Sequence, residues 1–207
     1  MPQDLMQLNE AALKAGSTII PDCGLAPGIS NVLVGHSAAT LDKIKAVHIM
    51  VGGLPEKPVP PLGYVITWSP ESLIDEYTRK AVIVRNGCVV EVEALSGVEQ
   101  IEFPKVGKLE AFYTDGLRTL LHTFKDVRDM WEKTLRYPGH AEKMKLLKVL
   151  GFFSETNVTI EGSDIQPRKF TAKILQQKLS SKRQKDIVVL KVETIGTKNE
   201  EETIHTY

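Results

Sequence analysis

Two cysteines in 207 residues, Cys23 and Cys88, are too few for a disulfide framework. A reducing cytoplasm is therefore the expected compartment. Charge of one sign is also missing. Lysine plus arginine and aspartate plus glutamate number 26 each, which excludes the basic footprint of a nucleic-acid or anionic-membrane binder. No apolar run approaches the ~20 residues that span a bilayer. The opening Met-Pro-Gln-Asp-Leu-Met-Gln has neither the basic nor the apolar region of a signal peptide. G-x-G-x-x-G, Walker A, H-E-x-x-H and G-x-S-x-G are all absent. The five histidines lack metal-ligand spacing, so no metal is expected. What remains is the ordinary mixture of a globular chain, 42% hydrophobic and 25% charged, long enough for one large domain.

Against that background the stretch from Asp22 to His36 stands out. A β-branched run from Ser17 to Pro21 reads as a strand. Gly24, Pro27 and Gly28 then turn the chain into a helix whose Ile29, Val32, Leu33 and His36 share one face. Pro27 suits a first helical turn, and the two glycines admit unusual backbone angles and close approach. A strand, a glycine turn and a helix N-terminus direct N–H groups toward whatever lies above the strand end, the usual ligand position in an open α/β sheet. The same pattern also serves as a plain junction, so Asp22, Cys23, Gly24, Pro27 and Gly28 stand here as candidates only.

Along the chain, Asp4–Ala15 reads as a helix capped by Asp4, with Leu5, Leu8 and Ala12 buried. Lys45–Val51 reads as a strand. Gly52–Gly63, with four prolines, reads as a loop, either a flap or a connector. Ser69 and Pro70 are the N-cap and first residue of a helix carrying Leu73, Ile74 and Tyr77. Asn86-Gly87 between Ala81–Arg85 and Cys88–Ala94 is a hairpin signal. Gln100–Phe103 and Leu109–Tyr113 read as strands. Thr114 is expected to cap a helix with Leu117, Leu120, Leu121 and Phe124 inward. Lys133–Tyr137 reads as a short strand, and His140–Leu150 as a helix with Ala141, Met144, Leu147 and Leu150 inward. Pro167–Ser180 reads as another, with Phe170 and Ile174 buried. Asp186–Ile195 and Thr203–Tyr207 read as strands around a loop at Gly196–Glu202.

Three segments carry more polar groups than a core needs: Thr67–Pro70, Tyr113–Arg118 and Thr134–His140. Each lies where a strand gives way to a turn or helix. Arg136 offers a fork for a carboxylate and Asp115 a partner for an ammonium. Tyr137 and His140 can hold or move a proton. Taken singly, Asp115 reads as well as a helix-dipole charge, Arg136 as a surface cation and His140 as a helix-start residue.

Asp22-Cys23-Gly24-Leu25-Ala26-Pro27-Gly28, Thr67-Trp68-Ser69-Pro70-Glu71-Ser72, Phe112 to Leu120, and Thr134-Leu135-Arg136-Tyr137-Pro138-Gly139-His140 together resemble the saccharopine dehydrogenase family, and within it the lysine 6-dehydrogenase-like branch. The resemblance runs from the first helix to Tyr207. It implies an α+β (α/β) fold, a mixed β-sheet covered by helices, preceded by the last helix and strand of a Rossmann domain. Residues 1–36 would be that remnant with the crossover helix, and 37–207 a substrate-binding, catalytic domain truncated at its C-terminal end. The implied parent enzyme uses NAD or NADP and removes hydride from an amine-bearing carbon of lysine or a lysine-derived amino acid. Asp22, Cys23, Gly24, Pro27 and Gly28 would lie beside the nicotinamide. Arg136 would hold the substrate carboxylate, with Trp68, Ser69, Tyr113, Asp115, Tyr137 and His140 around the rest. The family's dinucleotide fingerprint is missing, so no tight cofactor binding and no turnover are expected of this chain alone. Cys88 also stands where family members more often carry lysine, at a hairpin where packing is the expected consequence. A homodimer is expected. The alternative is a standalone dimerising or ligand-binding domain, pairing through sheet edges such as the Ala81–Ala94 hairpin.

Overall fold

The computed structural model describes residues 7–180 and 185–207. Among these residues stand six helices: α1 (Asn9–Ala15), α2 (Ile29–Thr40), α3 (Pro70–Thr78), α4 (Leu120–Thr123), α5 (His140–Val149) and α6 (Pro167–Leu179). The strands are β1 (Lys43–Pro55), β2 (Ala81–Arg85), β3 (Cys88–Val92), β4 (Glu99–Phe103), β5 (Gly107–Tyr113), β6 (Asp129–Arg136), β7 (Val158–Ile160), β8 (Ser163–Ile165), β9 (Asp186–Lys198) and β10 (Glu201–Thr206). β7 and β8 form a separate hairpin. The other eight build one mixed sheet in the order β10-β9-β1-β6-β2-β3, with β5 also on β6 and β4 outside β5. The mixed sheet with helices is the architecture expected from the sequence.

β1 and β6 are its spine. They run parallel, Val47 opposite Met130 and Val51 opposite Thr134, while β9 lies antiparallel along the other edge of β1. The remaining edge of β6 is shared. β2 meets it at Met130, and β5 meets it from Lys133 to Arg136, which leaves Trp131 and Glu132 at the fork. Side chains alternate across a strand, so Val47, Ile49, Met130, Phe112 and Val192 face one way. On that side they pack against Val34 of α2, the Leu117–Leu120 turn, and α3, α5 and α6. On the opposite face His48 stacks on Trp131 at 4.4 Å and the Lys133 ammonium lies 4.6 Å over the Tyr113 ring. At the far end of β10, Tyr207 exchanges backbone hydrogen bonds with Val192, and its hydroxyl meets His36 Nδ1 at 2.6 Å and Ser37 Oγ at 3.3 Å.

The Ser69 cap, the Asn86-Gly87 hairpin and the β4–β5 pair form as read. Several expectations are corrected. Ser17–Ile20 is exposed chain without a strand partner, and β-branched propensity alone builds no ladder. α1 buries nothing: Leu8 is exposed and Ala12 only half-buried, while Asp4 and Leu5 lie outside the described residues. α2 presents its other side to the sheet. Ser30, Val34 and Ser37 are buried, whereas Ile29 and Val32 are 53% and 71% exposed, because small residues let the helix sit close to β1 and β9. Pro27 precedes the N-cap, Gly28, rather than entering the helix. Gly52–Pro55 are not loop but the end of β1, paired with Asp186–Val189. Thr114 caps nothing, and only the single turn α4 forms after it. β6 begins at Asp129, four residues before the strand read there. Leu150, Phe170 and Ile174 are exposed, and β9 runs to Lys198, so its link to β10 is two residues.

Candidate functional site

On the helix-facing side of β6 the even positions after Met130 are Glu132, Thr134 and Arg136, all polar and all buried. They floor a cavity of about 860 Å³. Its walls are the end of β1, the inner side of α3, the Gly24–Pro27 turn and the Thr114–Arg118 loop. Burying charge is costly unless it is paired, and the floor meets that requirement in two different ways.

Arg136, 4% exposed, has each of its three nitrogens bonded. Nη2 reaches Glu76 Oε1 at 3.0 Å, Nη1 donates to the Leu135 carbonyl at 2.9 Å, and Nε donates to the Tyr77 hydroxyl at 3.1 Å. The Tyr77 hydroxyl lies 2.9 Å from His140 Nε2, and His140 Nδ1 lies 2.9 Å from the Leu62 carbonyl. A carbonyl only accepts, so Nδ1 carries the proton and Nε2 accepts from Tyr77. Burial and the Arg136 charge push His140 down to about 3, so the ring is neutral. Burial also lifts the Tyr77 phenol well above its ordinary value, with Arg136 opposing.

Glu132, 2% exposed, has among the described residues a hydroxyl for a partner and no cation. Oε2 accepts from Thr114 at 2.7 Å, and Thr114 Oγ1 lies 2.7 Å from Thr134 Oγ1. Gly116 packs directly on the carboxyl: a Cβ there would stand 2.6 Å from Glu132 Cδ. Burial raises the Glu132 pKa to about 8, with the Thr114 hydrogen bond opposing and the Glu76 charge assisting.

Three further cations line the cavity: Arg79, Arg118 and the exposed Lys185. Arg79 Nη1 lies 3.6 Å from Asp115 Oδ2, and Arg118, held in the left-handed region at φ 43, donates from Nε to the Asp115 carbonyl at 3.3 Å. Both arginines are half-buried and keep donors for another partner. Trp68, 43% exposed, stands at the rim with its Nε1 bonded to Tyr64 at 2.9 Å.

The Gly24–Gly28 turn closes on itself. Gly28 has φ 146, and a Cβ on it would stand 1.8 Å from the Gly24 carbonyl oxygen. The N–H groups of Gly28, Ile29 and Ser30 are taken by Asn31 Oδ1, Gly24 O and Leu25 O. A pyrophosphate needs such groups free, so the described residues do not fit a whole dinucleotide. Gly24 and Pro27 reach the cavity as wall.

Of the residues singled out from sequence, the cavity brings together Gly24, Pro27, Trp68, Asp115 and Arg136. It does not include the others. Asp22 accepts from the Thr119 N–H at 3.2 Å, Cys23 is exposed, and Gly28 is buried in the turn. Ser69 is spent as a cap, and Tyr113 packs on the opposite sheet face. The Tyr137 hydroxyl donates to the Pro55 carbonyl at 2.9 Å, and His140 lies behind Arg136. Sequence reading missed Glu132, Glu76 and Arg79, and gave no role to Arg118, which closes the polar segment Tyr113–Arg118. The signal for Glu132 was the alternation Glu132, Thr134, Arg136, visible once β6 starts at Asp129.

The saccharopine dehydrogenase C-terminal domain model matches residues 24–207. Among relatives, a saccharopine dehydrogenase [NADP(+), L-glutamate-forming] of Schizosaccharomyces pombe is 27% identical over 194 residues, covering 86% of this chain and 42% of that protein. An alpha-aminoadipic semialdehyde synthase of Arabidopsis thaliana is 30% identical over 165 residues, 72% of this chain and 16% of that one. The chain thus spans less than half the length of these relatives. Among solved structures, apo saccharopine dehydrogenase (L-Glu forming) from Saccharomyces cerevisiae superposes with a TM-score of 0.69 at 19% identity, over 98% of this chain and 61% of that one, and so shares its fold.

Proposed function

Because the chain belongs to the saccharopine dehydrogenase C-terminal domain family, we propose that it is the substrate-holding part of an NAD(P)-dependent oxidoreductase acting on the CH–NH group of lysine or a lysine-derived amino acid. In this reading the activity is of the saccharopine or lysine 6-dehydrogenase kind and the setting is cytoplasmic. The dinucleotide is held by protein outside these residues, and the chain alone does not turn over. The observation that carries it is a cavity with accessible guanidiniums on one wall and a buried carboxyl on its floor, the complement of an amino acid's two charges. Arg118 and Arg79 exchange Asp115 for the substrate carboxylate, a forked contact in a shielded site. The ammonium faces the floor, and Trp68 covers the aliphatic part. Arg136 keeps Glu76 and holds the floor in shape.

The test is calorimetric titration of the chain with L-lysine and with L-saccharopine. Wild type binds at least one of them, and Arg118→Ala binds it roughly tenfold or more weakly, the ~1.4 kcal/mol expected of a charge-assisted contact. Absence of binding to wild type overturns the reading. We also propose a homodimer, because β3 and β10 leave open sheet edges carrying the exposed Val89 and Ile204. Sedimentation showing only monomer at high concentration overturns that.

A further inference from the structure

We propose that Glu132 is the group that takes the proton from the substrate's ammonium, a role that rests on the amine-oxidising reading above. The cavity's inner carboxyls differ in one respect. Asp75 is paired with Arg168 at 2.5 Å, Glu76 with Arg136 at 3.0 Å, and Asp115 with Arg79 at 3.6 Å. Glu132 is bonded only to a hydroxyl, and among the described residues no cation lies within ion-pair distance of it. Its Oε1 has no hydrogen-bond partner among the described residues, and Glu132 lines the cavity. A buried carboxyl that lines a cavity without a counter-charge is a place prepared for a positive group that arrives with the ligand.

The chemistry needs such a group. An ammonium nitrogen has no free electron pair to drive hydride from the neighbouring carbon. One N–H bond must first break, its electron pair remaining on nitrogen and its proton forming an O–H bond with the Glu132 carboxylate. No oxidant enters this step. Glu132 suits it because burial holds its proton affinity near neutrality, where an acceptor works best. The groups facing it are Glu76 and Arg79 from α3, Thr114, Asp115 and Arg118 from the loop after β5, and Thr134 and Arg136 from its own strand. From β1 it meets the apolar Ile49 and Val51. In the empty cavity at pH 7 Glu132 is mostly protonated. The arriving ammonium expels that proton to solvent, and the amine then passes its own proton to the carboxylate.

The experiment counts protons. L-Lysine is titrated at pH 7 into wild type and Glu132→Gln in buffers of different ionisation enthalpy. Wild type is expected to release close to one proton per lysine bound, and Glu132→Gln to bind with none released. Equal release from both, or binding to wild type without release, overturns the proposal while leaving the substrate-holding reading intact. No binding to wild type overturns both. If Glu132→Gln does not fold, the Glu132 carboxyl ¹³C titration of wild type decides. Its midpoint near 8 must fall when lysine saturates the cavity, and an unmoved midpoint overturns the proposal.

Discussion

Arg136 and Glu132 sit four residues apart on the same face of the same strand, yet one is sealed inside a closed network and the other ends an open one. Around Arg136 each partner has its own partner: Glu76, Tyr77, His140 and the Leu62 carbonyl complete one another. Around Glu132, which lines the cavity, the chain runs through Thr114 to Thr134 and leaves one carboxyl oxygen without a partner among the described residues. The closed network fixes geometry and the open one retains capacity to react. They also answer pH in opposite directions. His140 is depressed to about 3 from an ordinary value of 6.5, so the stability it carries is complete above about 6.5 and is lost as pH falls toward 3. Glu132 is raised to about 8 from 4.5, so its contribution is complete below about 4.5 and is lost as pH rises through 8.

The sharpest way to break the closed network is Glu76→Leu, which strands Arg136 as a buried cation. The expected loss is about 3–5 kcal/mol, read from the urea midpoint. Next is the pH test of the open network. Glu132 gives the folded state one extra proton between pH 4.5 and 8, and the neutral His140 cancels it below about 6.5, so wild-type stability declines from about 6.5 to 8; Glu132→Gln abolishes that decline, a difference on the order of a few kcal/mol at pH 9, seen in melting curves. Tyr77→Phe removes the hydroxyl shared by Arg136 and His140, for a loss of about 1–3 kcal/mol and a rise in the His140 pKa as its ring nitrogen loses a neutral-form partner, measured by NMR. Smallest is Thr134→Val at the outer end of the open chain, about 1 kcal/mol in stability with Thr114 still bonded to Glu132. If Thr134→Val costs as much as Glu76→Leu, the distinction between the two networks fails.

Local signals were legible where they concern neighbours in sequence. The Ser69-Pro70 cap and the Asn86-Gly87 turn need only adjacent residues, and both form as read. The strand β6 was only half legible, because Glu132-Lys133 reads as a surface charge pair until parallel pairing with β1 makes the strand central. α2 shows the same limit. Ile29, Val32 and Leu33 form a convincing apolar face, but the sheet beneath selects the small residues Ser30 and Ser37 for close approach. For the cavity, Trp68, Asp115 and Arg136 lay in polar segments and could be picked out. Tyr137 and His140 came from the same segment and fall elsewhere, because successive strand residues point to opposite faces and His140 begins a helix that turns behind Arg136. Arg79 and Glu76 were hidden as ordinary charges on an amphipathic helix.

The clasp between Tyr207 and His36 makes the path of the chain almost circular. After 171 residues the backbone returns to the flank of the helix from which it set out. The contact closes one large loop, so α2 and β10 order together, and Tyr207→Phe should speed amide exchange in both. A permuted version, with residue 207 joined by a short linker to the start of α2 and new ends at the exposed Asn86-Gly87 turn, should keep the sheet order intact.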